Sequence, residues 1–389
     1  MEGETESMSR IEIGESAKDL IYLVSCAANS EKPDPQRCAA MDTEAVLKAA
    51  KLQMLSVAAA CALEQAVALS PSWQNAKGSA VRRQILYEAA RAEVLRELEK
   101  NGIWYLPLKG CVIKSLYPRP MMREMADNDV LCDAEKMAEI RDIMLRLGYT
   151  CESYEKDNHD VYEKNGLSFE LHRSLFISLS SSVFTSYYGM VKDRLVRDED
   201  KQYGYHMTDE DFYIHLISHM YKHYSHAGVG LRALLDVYIY NREKGSSLDR
   251  AYLETELKKL SLDGFERDMR PLAEKVFTLQ PLSDEEQGEL AYFIDSNCFG
   301  LSDTYFAHRL RNDDSRKAKA GYLFRRIFPD SDYLELYCPV VYRHRILYPF
   351  MVVYRAGKGL FTRPGKLFRE FKRVRNFRSE DFRGDHHTK

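Results

Sequence analysis

The 389 residues include 56 Lys and Arg against 59 Asp and Glu, with 45% apolar and 30% charged residues and a formal net charge of −3. That balance fits a globular protein of two or three domains with a core of its own, and it gives no whole-molecule attraction to nucleic acid or anionic lipid. No apolar stretch approaches the ~20 residues of a membrane span, the acidic opening MEGETESMSRIEIGES has no apolar run of a secretory signal, and the eight scattered cysteines form no CxxC. Free thiols in a cytoplasmic enzyme or binding protein are therefore expected.

Residues 1–98 read as an N-terminal helical region. MDTEAVLKAAKLQMLSVAAACALEQAVAL opens on Asp42 as a cap and runs as one closely packed, Ala-rich helix until Ser70-Pro71 stops it. A second helix covers VRRQILYEAARAEVLRELEK, with Ile85, Ala89, Ala92, Leu95 and Leu98 on its packed face and Asn101-Gly102 at its end. IWYLPLKG then reads as a strand in spite of Pro107, and CVIKSLY as a short helix beginning at Gly110 and stopped by Pro118 and Pro120. DNDVLCD is a second strand and DAEKMAEIRDIMLRLGY a helix ending at Gly148. HDVYEKNGLSFELHRSLF gives two more strands joined at Asn165-Gly166, a favoured hairpin turn. This order predicts an α+β core over 99–200. A C-terminal helical domain follows over 201–340, in which DEDFYIHLISHMYKHYSHAGVGLRALLDVYIY is two helices broken at Gly228 and Gly230, and DRAYLETELKKLSL and DEEQGELAYFIDS are two more. The rest, 341–389, is a basic tail: from Val341 to Ser379 eleven Lys or Arg stand against one acid, Glu370.

The sharpest chemical feature is Asp127-Asn128-Asp129. Side chains at i and i+2 of a strand share a face, so both carboxylates can hold a divalent cation that also grips a triphosphate. On spacing alone, a loop in which one Asp caps a helix is the commoner use of such a pair. Lys109-Gly110, where a strand meets a helix, can cradle phosphate, and Arg123 offers a planar fork for a leaving group. Taken singly, Lys109 is a solvated strand end and Arg123 a surface partner of Glu124 or Asp127. In LSFELHRSL, Phe169 and Leu171 share one strand face, and Glu170 and His172 the other, so Glu170 can join the two aspartates as a third acid. By itself that strand is equally well an edge with a solvated face.

LKG, then LYPRPMMREMADNDVLCD, then a hairpin strand ending FELHRSL, resemble the uncharacterised nucleotidyltransferase-like family of the DNA polymerase β superfamily. The resemblance extends through HMYKHYSHAGVGLRALLDVYIY, where His219, His223, Gly228, Gly230, Arg232 and Asp236 match the family's pattern, and it covers about 99–240. It implies a small mixed-sheet nucleotidyltransferase core flanked by helical regions. It also implies Mg2+ or Mn2+ on Asp127, Asp129 and Glu170, with a nucleoside triphosphate held by Lys109, Gly110, Arg123 and Arg232. Asn128 stands where a branched apolar residue is usual and should pack less firmly beneath the sheet. Glu170 stands where the superfamily more often has aspartate.

His215, His219, His223 and His226 fall within about 80° of helical arc. Two imidazoles one turn apart can share zinc, but neither HLISH nor HMYKH contains the glutamate of HExxH. A histidine-rich wall supporting the site, together with His172, is the favoured reading. Arg232 and Asp236 form an i, i+4 pair, a salt bridge in the plainest account and, in the nucleotidyltransferase reading, a phosphate-facing arginine oriented by Asp236. The glycines before it would allow a tight approach to the α+β core. In the tail, Phe361, Phe368, Phe371 and Phe377 interleave with the charges. Leu367, Phe368, Phe371 and Val374 share a helical face, which favours packing over stacking on RNA.

The reading is transfer of a nucleoside monophosphate from an NTP to an acceptor hydroxyl on a small molecule, a protein or an RNA end. Two alternatives stand beside it. One is a nucleotide-binding or protein-interaction module that keeps the fold without turnover. The other is a zinc-dependent hydrolase using the histidine-rich helix.

Overall fold

The computed structural model describes residues 13–155, 157–176, 182–225, 228–297, 328, 341 and 344–352. Arg343, the basic and aromatic residues from Arg355 onward, and His226 lie outside the described residues. Ile13–Phe299 make one unit, and Met1–Glu12 with Gly300–Lys389 another. In the second unit a 3-10 turn at Arg345–Leu347 leads into a helical turn whose Met351 and Val352 are buried against Val341 and Tyr348.

The first unit opens with α1 (Glu15–Asn29) and α2 (Pro35–Ala40), the latter capped by Asp34 with Pro35 in its first turn. Asp42 caps α3 (Thr43–Gln53) as expected, accepting from the Ala45 amide at 3.1 Å. The single long helix expected here is two. Met54 takes a left-handed φ of 53° and ends α3, and α4 (Ser56–Leu63) begins after Leu55. Every residue of α4 is buried, which is what a helix apolar all round requires. Ser70-Pro71 does not stop a helix but starts one. Ser70 accepts from the Trp73 amide, Pro71 occupies the first turn, where its missing N–H costs nothing, and α5 (Pro71–Lys100) begins ten residues earlier than its apolar period suggests. Ile85, expected on the packed face, is 53% exposed. The buried stripe is Trp73, Gln84, Tyr87, Val94 and Leu98. Burial of Gln84 and Tyr87 is eased because Gln84 Nε2 and the Tyr87 hydroxyl donate to the carbonyls of Met121 and Ala126, contacts that apolar periodicity cannot register.

The sheet follows: β1 (Tyr105–Pro107), then α6 (Gly110–Ile113), β2 (Asn128–Cys132), α7 (Met137–Arg146), β3 (Thr150–Ser153), β4 (His159–Lys164) and β5 (Leu167–His172). Its order is β1-β2-β5-β4-β3, with β2 and β5 parallel and the other neighbours antiparallel. This is the expected mixed-sheet α+β core, with β3 as an additional edge strand. Pro107 is tolerated because β1 is the opposite edge. Asn165 (φ 52°) and Gly166 (φ 75°) form the two-residue hairpin turn. One sheet face packs on α5 and α7 through Val94, Leu98, Ile140, Ile143, Val130 and Phe169. That leaves Asp129, Glu170 and His172, at the alternate positions, on the other face.

After α8 (Ser182–Gly189) and a short hairpin of β6 (Val196–Arg197) with β7 (Tyr205–His206) come α9 (Asp209–Tyr224), α10 (Leu231–Lys244), α11 (Arg250–Lys259), α12 (Asp263–Phe277) and α13 (Asp284–Ser296). These helices share one apolar cluster with α1, α3 and α4, and Leu106 and Leu131 carry it into the sheet. The turn between α9 and α10 does make a tight approach, but to helices, not to the sheet. A Cβ at Gly228 (φ 91°) would lie 2.5 Å from Ser296 Oγ, and one at Gly230 2.6 Å from Gln53 Oε1 and 2.7 Å from the Asn297 carbonyl. Buried Gln53 accepts from the Leu231 amide at 2.8 Å and donates to the Ile294 carbonyl at 2.8 Å, tying α3 to α10 and α13. Among the described residues no helix is long and apolar enough to cross a membrane. The six described cysteines are free thiols.

Candidate active site

Asp127 and Asp129 flank the first residue of β2, and the alternation that turns them to one face turns Asn128 to the other. Asn128 is buried there with both ends bonded: Nδ2 donates to the Tyr87 carbonyl and Oδ1 accepts from Arg91 Nη1, each at 3.1 Å. The polar residue expected to loosen the sheet is therefore a firm tie between β2 and α5. Parallel pairing sets Asp129 opposite Glu170. His172 lies between them, its Nε2 2.9 Å from Asp129 Oδ1 and 3.5 Å from Glu170 Oε2. Lys109, with φ 54° at the β1–α6 junction, reaches the same Asp129 oxygen at 2.6 Å.

These neighbours split the two aspartates electrostatically. Burial, then the facing charge of Asp129, pushes the Asp127 carboxyl up to about 6. Burial alone would raise Asp129 as well, but Lys109 and the His172 hydrogen bond overcome it and hold Asp129 well below the usual carboxylate range. Burial opposes the charge of Lys109, while Asp129 and Asp127 more than restore it.

The arginines pair differently from the i, i+4 expectation. Arg123 grips Asp236 with two nitrogens, Nε at 2.8 Å and Nη2 at 2.8 Å, and Tyr117 donates to the same carboxylate at 2.6 Å. Arg123 and Asp236 are both buried. Gly110 makes room for this contact, since a Cβ there would stand 3.3 Å from Arg123 Nη1. Asp236 thus orients Arg123. Arg232 instead donates to the Glu124 carbonyl at 2.8 Å. Arg232 and Asp236 both reach the 117–124 loop, which offers each a partner other than its neighbour on α10.

A cleft of about 230 Å³ lies between these groups. Lys109, Asp127, Asp129 and Glu170 line its sheet side. His215, His219, His223 and Arg232 line its helical side. His219 and His223 meet Nε2 to Nε2 at 3.1 Å, one donating to the other. Among the described residues His215 has no hydrogen-bond partner; it sits edge-on to the rings of Phe176 and Tyr188, with burial pushing its pKa down to about 3. His215, His219 and His223 thus stand as a row of imidazoles along α9.

His159 adjoins Glu170 and His172 although its type and position carry no motif. Its Nε2 lies 3.8 Å from Glu170 Oε2, and its ring is tilted 40° against that of His172 with centroids 4.9 Å apart. The signal that finds it is the Asn165-Gly166 turn, which fixes the hairpin register and so sets His159 opposite His172. His159, Glu170 and His172 bring three ligand atoms within 4.8 Å of one another and can hold a metal ion.

A family described as uncharacterised nucleotidyltransferases matches residues 39–278, well over half of the chain and the whole of the cleft. No curated protein and no solved structure matches it.

Proposed function

The chain belongs to the uncharacterised nucleotidyltransferase family of the polymerase β nucleotidyltransferase superfamily, and we propose that it transfers a nucleoside monophosphate from an NTP to an acceptor hydroxyl. The observation that supports this reading is that Asp127, Asp129 and Glu170 line one cleft together with Lys109 and Arg232. Three carboxylates are the oxygen donor set that suits Mg2+ or Mn2+. Asp127 is raised by burial first and by the facing charge of Asp129 second, and a cation bound beside it would offset both. Such ions, when bound, neutralise the triphosphate and polarise the acceptor hydroxyl.

In this reading the acceptor oxygen forms a bond to the α-phosphorus as the bond to pyrophosphate breaks, and Glu170 takes the hydroxyl proton. Lys109 leaves Asp129 for the phosphates. Arg232 adds the second phosphate-facing charge, because Arg123 is committed to Asp236 and positions the loop before Asp127. The Gly110 backbone gives the phosphates close access. Asp236, His172, His219 and His223 hold the walls.

A second reading, nucleotide binding without turnover, draws on one observation: a single Asp129 oxygen accepts from both Lys109 and His172. Incubation with each of the four NTPs and Mg2+ or Mn2+, against pools of small alcohols, proteins and RNA, separates the two. Pyrophosphate release that falls at least about a hundredfold in Asp129→Asn is expected. Release that survives Asp129→Asn contradicts the site, and nucleotide binding without any release supports the second reading.

A further inference from the structure

We propose that His159, Glu170 and His172 form a site for a transition-metal divalent ion of the Zn2+ and Co2+ class, distinct from the aspartate pair. The two Nε2 atoms stand 3.8 and 3.5 Å from the same Glu170 oxygen. A charge-assisted bond from imidazole to carboxylate closes further, as His172 does with Asp129 at 2.9 Å. The wider separations instead approach the roughly 3.3–3.5 Å that separates ligands held about 2.0–2.2 Å from one tetrahedral ion.

The surroundings of the rings fit that use. Asn158 is buried behind both, with Oδ1 3.2 Å from His159 Nδ1. It accepts that ring's proton and so leaves the Nε2 lone pair turned toward Glu170. The amide is held in this orientation because Nδ2 donates to the Ser174 carbonyl at 2.8 Å. An oxygen that fixes the outer ring nitrogen is the usual support of a ligating imidazole. Nδ2 also lies 3.4 Å from His172 Nδ1, a long contact that pins this second ring only weakly. On binding the ion, the His172 proton moves by way of solvent from Nε2 to Nδ1, where the long contact with Asn158 Nδ2 is given up, and Nε2 exchanges its hydrogen bond to Asp129 for a bond to metal, while Asp129 keeps Lys109. His159 and Glu170 are 25% and 28% exposed, which leaves an approach for the ion and a place for a water ligand.

Two imidazoles and one carboxylate favour zinc-like ions over Mg2+, whose preferred ligands are all oxygen. The assignment stands on the imidazoles and does not depend on nucleotidyl transfer. Its test therefore uses no nucleotide. Metal-free full-length protein is titrated with Co2+, whose visible absorption reports imidazole ligation, with Zn2+ and Mg2+ as competitors. The expected result is one Co2+ per chain, displaced by Zn2+ and not by a hundredfold excess of Mg2+. Its affinity should fall at least about tenfold in His159→Ala and in the gentler His159→Gln, and stay unchanged in Asp127→Asn. Co2+ binding that survives both His159 variants, that vanishes with Asp127→Asn or with His223→Gln, or that is missing from the unaltered protein overturns the assignment. Melting curves of each variant establish that it is folded before its affinity is read.

Discussion

Asp127 and Asp129 are two residues apart and face opposite electrostatic surroundings. Asp129 has an ammonium and an imidazole on one oxygen, whereas Asp127 has burial and a facing charge, and its pKa rises to about 6 against about 3.9 in an unfolded chain. Between those values the folded protein keeps a proton that the unfolded chain has lost. Stability contributed by this residue therefore falls as pH rises through that window and changes no further above it. Asp127→Asn removes the liability, so in metal-free buffer the variant should be the more stable protein at pH 7.5, by on the order of 3 kcal/mol, with the gain gone below about pH 4. Denaturation across pH checks this, and a difference independent of pH contradicts it. The buried Arg123–Asp236 pair supplies a second residue-level expectation. Asp236→Ala strands a buried guanidinium and should cost about 3–5 kcal/mol by urea denaturation, whereas Arg123→Met with Asp236→Leu should recover most of the loss. Spacing alone pointed to Arg232 as the partner of Asp236; the true partner is 113 residues away, and no local rule reaches that far.

Among the elements, the strands were the most legible. The period of two assigns Asp127, Asp129, Glu170 and His172 to one face, and the Asn165-Gly166 turn fixes the register that brings in His159. Helix boundaries were less legible. The start of α5 depends on a Ser-Pro pair that serves equally as a stop, and its packed face depends on Gln84 and Tyr87 finding carbonyls in a distant loop. The Gly228–Gly230 turn is visible as a break, but its contacts with Gln53, Ser296 and Asn297 are not. Those contacts have a measurable consequence. Gly230→Ala would put a Cβ 2.7 Å from the Asn297 carbonyl, a backbone atom that cannot swing aside. The variant should lose about 1–3 kcal/mol in denaturant unfolding. A loss no larger than that of Gly14→Ala, where a Cβ meets nothing within 4 Å, would contradict the packing described.

Across the unit Ile13–Phe299, helices from both ends of that unit bury one apolar cluster that reaches the sheet. The alternation of helical and α+β character along the sequence shows the sequence of parts but not this sharing, because Leu23 and Phe277, more than two hundred positions apart, belong to one cluster. The shared core fixes α9 and α10 over the carboxylates, and the cleft follows from that. Its proposed chemistry is tested most directly by the fate of two labels. With Mg2+ or Mn2+ and an NTP that supports pyrophosphate release, label at the α-phosphate should move to the acceptor while label at the γ-phosphate leaves in pyrophosphate. Both movements should be lost in Asp129→Asn. Transfer of the γ-label to the acceptor, or release of the γ-label as inorganic phosphate, would contradict nucleotidyl transfer.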